Sequence, residues 1–400
     1  MTVISENCDQ RRLWRCGENL ALGLLLFILS ACAEAEVEPA EDQEVATLRV
    51  GAVYNESDFQ IRFVFATEDP SWYHQYWVYE NGEWVRYGSG AEGRDPDGLY
   101  EDRISVMIDD GSVAGFSETG GQVTVHPGMR STATAAPADE VRGHPHLGER
   151  LGRSDVRKFI LESRSGAYGP DSWRNVRSPE ELERLREEGV FLDLWQWRAH
   201  RSNPIGYADN GYVLEYRHSS SGRSMFTDNR NEETGLPLRM FDPEATGSRA
   251  LRLESLRARE YGQDAPYFLT DEDSVPFDPD HDWREGDAIP QRLLREPDGS
   301  RGAIRARGEY RDGAWHVRLT RSLETPDPLD SKALVPGESY HVAFAVHNAA
   351  GAGFHRVSLP LTLGLGVEAD LRARKVEGDL DEAAVEWTEV TIFYLGGLGG

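Results

Sequence analysis

Cysteine is the scarcest reactive residue in this chain of 400, with three in all, at positions 8, 16 and 32. A chain processed at Cys32 keeps only that one. This excludes disulfides, Cys-ligated zinc, iron–sulfur clusters and a thiol nucleophile from the rest of the protein. Long apolar runs are also lacking. The one candidate, "LALGLLLFILSA" (Leu20–Ala31), is too short for a spanning helix, and with Arg11, Arg12 and Arg15 before it, it has the form of a signal-peptide core. It ends in Leu29-Ser30-Ala31-Cys32, the lipobox pattern of bacterial lipoproteins, in which Cys32 is diacylated and becomes the mature N-terminus. A simple cleavable signal followed by a chance cysteine is the plainer alternative. Stable anchoring takes more than one acyl chain, and a lipoprotein cysteine carries several.

Positive charge is in short supply as well: 43 Lys and Arg stand against 69 Asp and Glu, a net charge of −26. The leader, residues 1–31, is balanced and does not alter this figure. So acidic a surface argues against nucleic acid or an anionic lipid face as partner. It suits salty water, or docking to a basic carrier protein. Hydrolase signatures are missing too, since "GFSETGG" does not have the G-x-S-x-G spacing. Asp278, Asp280 and Asp282 begin like a calcium loop, but Trp283 and Ile289 occupy the Gly and Glu positions, which favours a solvated acidic loop. His144 and His146 have no third ligand nearby in sequence, and "AGAGFH" has no Lys and no following helix pattern.

What is present has mainly a period of two. The expected organisation is a signal peptide over 1–31, an acidic tether over 32–45 and one domain over 46–400, with 218–300 as a loop-rich insertion. Phe59, Ile61, Phe63 and Phe65 alternate with polar neighbours, after "TLRVGAVY" and a turn at "NESD". Trp315, Val317 and Leu319 do the same, as do Tyr340, Val342, Phe344 and Val346. Strands at both ends of the chain predict an all-β fold, an antiparallel β-sandwich with a few short helices and long loops, in which first and last segments meet. A helix is expected after Ser178, with Pro179 at its first position, Glu181 completing a capping box and Gly189 as its stop. A second is expected over "SDVRKFILES", where Val156, Phe159 and Ile160 would share one face.

The stretch "GGQVTVHPGMR", Gly120–Arg130, ends like a haem-attachment motif, but Gln122 and Val125 hold the two cysteine positions of C-x-x-C-H and only His126 remains. Three further segments carry a family resemblance. "DLWQWRAHRSNPIGYADNGY" (Asp193–Tyr212), "ARGEYRDGAWHVRLTRSLET" (Ala306–Thr325) and "YHVAFAVHNAAGAGFHRVSLPLTLGL" (Tyr340–Leu365) resemble the ethylbenzene dehydrogenase-related haem-binding domain, the fold of that molybdoenzyme's gamma subunit and of related periplasmic cytochromes. The resemblance implies a β-sandwich holding one haem near the sheet ends. Some members attach it through C-x-x-C-H; the gamma subunits bind haem b without cysteines, through Met and Lys. Here the cysteines are absent, and His355 in "GFHRVS" stands where the gamma subunits have Lys.

A b-type haem needs two axial donors and an apolar slot, with nothing covalent. His355 is the expected first donor and His126 or Met129 the second. Trp195, Trp197, Trp315 and Phe354 are candidates to line the pocket, with plain core as the alternative. The resemblance implies a cytochrome-like, electron-transferring lipoprotein without catalysis of its own. The lipobox adds anchoring by membrane lipid through Cys32, with the domain in the periplasm and the outer membrane expected over the inner; Ala33 merely lacks the Asp that would argue for inner-membrane retention. Its redox partner would be a molybdoenzyme subunit or a c-type cytochrome. A haem-free sandwich that binds carbohydrate or acts as a scaffold is the competing expectation.

Overall fold

The computed structural model describes residues 45–88, 95, 97–350 and 355–394. The signal-peptide and lipobox expectations, Cys32 included, and Phe354 lie outside the described residues.

Ten strands, numbered here in chain order, build the frame: β1 (Val45–Tyr54), β2 (Asp58–Ala66), β3 (Arg103–Asp109), β4 (Leu192–Arg198), β5 (Tyr207–Val213), β6 (Ile304–Arg311), β7 (Ala314–Ser322), β8 (Ser339–His347), β9 (Leu361–Leu365) and β10 (Leu371–Lys375). Their hydrogen-bonded order is β1-β2-β7-β6-β5-β4-β3-β8-β9-β10, and β10 returns to β1. The two layers are therefore joined along both edges, and the sheet closes. Pairings around the ring are antiparallel except those of β10, which runs parallel to β9 and β1. The terminal strand Thr388–Tyr394 also pairs with β1, so first and last segments meet as the alternation predicted.

Closure follows from the side-chain pattern. Phe59, Ile61, Phe63 and Phe65 of β2 and Trp315, Val317 and Leu319 of β7 all point to one interior, with Trp195, Trp197 and Phe344 from the facing strands. The β1–β2 turn is set by Asn55, whose Oδ1 accepts the backbone N–H groups of Ser57 and Asp58 at 2.9 and 2.8 Å. Where β6 crosses Trp197, only glycine fits: a Cβ on Gly308 would lie 2.2 Å from Trp197 Cζ2. Asn203 holds the same point, accepting N–H bonds from Trp197 (3.1 Å) and Gly308 (2.6 Å). Gly308→Ala is expected to cost about 1–3 kcal/mol through overpacking, read as a fall in the urea midpoint at unchanged slope.

Helix Pro179–Glu187 has the expected Ser178–Glu181 capping box. The second expected helix does not form. Val156 and Phe159 enter a cluster with Val141, Leu147 and Trp173, while Ile160 turns to another with Met107 and Leu194. The chain runs extended between two cores, with the Ile160 N–H donated to the Leu214 carbonyl, so the spacing was a coincidence of two faces. Residues 218–300 are also more regular than expected. Leu251–Arg252 and Asp287–Pro290 join Tyr76–Glu80 and Glu83–Tyr87 in a four-stranded sheet, and Phe226–Asp228, Leu269–Thr270 and Arg292–Leu294 form another. Strands of two to four residues are too short to show a period. Their aromatics, Tyr267 and Trp283, extend the main core alongside Tyr76 and Trp77.

Candidate functional site

Alternation in the central strands settles which residues leave the core. In β3, Ile104, Val106 and Ile108 point inward, so Arg103, Ser105 and Met107 face out. On β4, Trp195 and Trp197 point inward, and Leu194, Gln196 and Arg198 face out. On β8 the outward set is Ala343, Ala345 and His347. Register aligns them in rows: Ala343–Met107–Leu194, Ala345–Ser105–Gln196 and His347–Arg103–Arg198. The outer face thus grades from apolar, through small, to cationic.

A cover made from residues 112–191 lies over this face. At the apolar end it closes tightly: Phe116, Ile160, Leu182 and Phe191 pack with Met107, Leu194 and Val213. A Cβ on Gly120 would come within 3.1 Å of the Ala343 Cβ. Over the other two rows closure is incomplete, and Ala345, Gln196 and Arg103 stay partly exposed although they stand on central strands. The outer face therefore has an apolar part sealed by the cover and a small-residue middle and a cationic end that the cover leaves partly open; this half-covered face is termed the cleft.

The cationic end is crowded. Arg198 pairs with Asp209 at 2.9 Å, and Arg301 holds the other oxygen of that carboxylate at 2.8 Å. Arg103 donates to His347 Nδ1 at 2.9 Å and to the Ala350 carbonyl at 2.7 Å. Lys158, from the cover, donates to Thr124 Oγ1 at 3.0 Å. Arg217 is rooted at the apolar end, on the short strand beside β5 opposite Val213, and its charge reaches this group from there. His355 stacks on His347 with ring centroids 4.4 Å apart. Burial holds His347 well below the usual histidine range, and Arg103, His355, Arg217 and Lys158 push it further the same way. Burial and then Arg217 draw the Lys158 amine down to about 8. Arg217 is lowered to about 9 by burial and then by Arg198 and Arg157.

Of the residues chosen from sequence, His355 lies at this cationic end. His126 and Met129 sit in the cover. The His126 ring packs on Phe159 with centroids 4.2 Å apart, its Nε2 bonds the Phe159 carbonyl at 3.0 Å, and burial lowers its pKa to about 4. Met129 Sδ accepts the His126 backbone N–H at 3.4 Å. The charge of Lys158 is among the smaller influences on both His126 and His347. Trp195 and Trp197 lie on the inner face of β4, on the other side of the sheet, and Trp315 packs against Trp197 there at 5.0 Å. Sequence reasoning missed His347, Arg103, Lys158 and Arg217. For His347 a signal existed: in "YHVAFAVH" it follows Ala343 and Ala345 on the polar phase of the alternation.

Other candidates resolve differently. Trp283 stacks on Phe277 and donates to the Asp278 carbonyl at 2.9 Å, so an aromatic contact pins the acidic loop. His144 caps its own turn, accepting from the backbone N–H groups of His146 and Leu147. Among the described residues, no group of three His, Cys, Asp or Glu could hold a metal ion. A separate open cleft of about 690 Å³, bounded by Asn203, Gln263, Tyr267, Arg307 and Glu309, contains none of the residues chosen from sequence.

Two of the segments that carry the resemblance, Asp193–Tyr212 and Ala306–Thr325, are joined by one buried hydrogen-bonded lattice. Asp193 Oδ1 accepts from the Trp195 indole at 3.0 Å, and its Oδ2 from Arg321 at 2.8 Å and the Lys332 N–H at 3.1 Å. A closed β-domain tied together by this lattice, with a cleft on its outer face, defines the class of protein. The family described as ethylbenzene dehydrogenase matches residues 29–358, and the chain belongs to that family. No curated protein matches it.

Proposed function

We propose that this member of the ethylbenzene dehydrogenase family binds one haem b in the outer-face cleft and serves as an electron-transferring, cytochrome-like subunit. The observation that carries the reading is the stacked His347–His355 pair at the cationic end of a cleft with a small-residue floor. The donor chemistry fits. His355 would offer an imidazole as axial donor, and His347 supports that ring by stacking while its own Nδ1 is engaged by Arg103. His126 and Met129 are the donors available from the cover; the Phe159 carbonyl fixes the His126 ring as a backbone acceptor fixes a ligand histidine. Met107 and Leu194, packed under the cover, would form the apolar side of the site. Haem held this way supplies a one-electron ferric–ferrous couple.

With it goes the proposal that Cys32 is lipidated, that the domain faces the periplasm, and that electrons pass to or from a molybdoenzyme subunit or a c-type cytochrome. The test is the visible spectrum of protein solubilised from membranes, oxidised and dithionite-reduced, followed by acid–acetone extraction. A Soret band and a reduced α-band with extractable pigment are expected. His355→Ala should bleach or shift the spectrum far more than His144→Ala. Protein that stays colourless after haem is offered would leave the haem-free, ligand-binding alternative.

A further inference from the structure

The charges of Arg103, Lys158 and Arg217 all act on His347, with Arg217 reaching across from its root opposite Val213, yet none of the three forms an ion pair with a carboxylate among the described residues. Close by, Asp209 neutralises Arg198 and Arg301 together. Arg217 makes no side-chain hydrogen bond among the described residues, and the charged groups nearest to it are mostly further arginines. Half-buried cations close to one another repel and lose part of their hydration, and a bound anion offsets both costs.

We propose that Arg103, Lys158 and Arg217 form a binding site for a paired carboxylate, in the first place the two propionates of the haem assigned to this cleft; the proposal rests on that reading. The grading of the face supports it. A flat amphipathic ligand with an apolar body and two carboxylates on one edge matches an apolar back, a floor of Ser105 and Ala345 and a cationic end. Arginine forks suit carboxylates bidentately, and Arg217 has its fork uncommitted. Arg103 bridges the two functions: the guanidinium facing the carboxylate also holds His347, on which His355 stacks.

The test uses the full chain in detergent, titrated separately with haem, haem dimethyl ester and citrate, as wild type and as Arg217→Gln. Because Arg217 makes no side-chain hydrogen bond or ion pair among the described residues, the variant should fold, and its melting curve checks this. Loss of a charge-assisted bond predicts about tenfold weaker haem binding in Arg217→Gln, with the diester, already weaker on wild type, left unchanged. If the diester binds wild type as tightly as haem and Arg217→Gln alters neither, the carboxylate site is wrong and the cofactor reading stands. If haem never binds but citrate raises the melting temperature of wild type and not of Arg217→Gln, the site stands and the cofactor reading falls. No response to haem or citrate overturns both.

Discussion

Chemical denaturation of the haem-free protein is expected to show a steep loss of stability as pH falls from about 6.5 toward 4. Four buried histidines set this window. His126 and His200 are each lowered to about 4, chiefly by burial. His74 and His347 lie well below the usual range for the same first reason, with neighbouring cations adding to it. His74 has neither ring nitrogen hydrogen-bonded, and His200 Nε2 lacks a partner too. In the unfolded chain these groups titrate near 6.5. Below that pH the unfolded state takes protons that the folded state refuses, so it binds more protons and stability falls with pH. Each histidine contributes about 1.4 kcal/mol per pH unit, and four together up to about 5–6, comparable to a whole domain's stability. Glu215, held low by His146 and His218, acts in the same direction but later, because its stabilisation is lost only as pH drops below the ordinary carboxylate range. Urea curves at pH 7, 6 and 5 test the prediction; equal midpoints at pH 7 and 5 would contradict it.

Asp193→Ala is expected to be among the most damaging single changes in the domain. Asp193 and Arg321 are fully buried and paired at 2.8 Å, with the guanidinium lying 4.5 Å over the Trp195 ring. Removing the carboxylate strands a buried cation and leaves the Trp195 and Lys332 N–H groups without acceptors. Breaking such a pair costs about 3–5 kcal/mol, whereas replacing both members with apolar residues is often neutral. The comparison is therefore Asp193→Ala, Arg321→Met and the double variant, by urea midpoint. The double should lose clearly less than the sum of the singles. A loss below about 1 kcal/mol for Asp193→Ala would show that this pair does not hold the core.

This pair also shows what sequence could and could not convey. The motif residues Asp193, Trp195, Trp197 and Asn203 carry the resemblance to the ethylbenzene dehydrogenase family, and the chain does belong to that family. In the structure they are the frame, facing the interior. Strands of seven to ten residues were legible because each side chain alternates between core and outside. The apparent helix over 154–163 misled because two cores can draw on one segment at helical spacing. The cleft was the least legible part. Arg103, Lys158, Arg217 and His347 are far apart in the chain, and only the register of β3, β4 and β8 and the fold of the cover bring them together.

The closed ring has a consequence for how the chain reaches this state. β1 lies between β2, its immediate successor, and partners from the far end, with Val45 opposite Phe393 and Ala52 opposite Ala373. The hairpin β1–β2 can form early, but its other edge waits for strands made last. Until they arrive, β1 presents open N–H and C=O groups to any passing strand. Pairings between such distant segments form slowly because the loop must be closed before the contact is gained. Refolding from urea should therefore be slow and sensitive to protein concentration, and a chain cut before Thr388 should self-associate through its bare first strand.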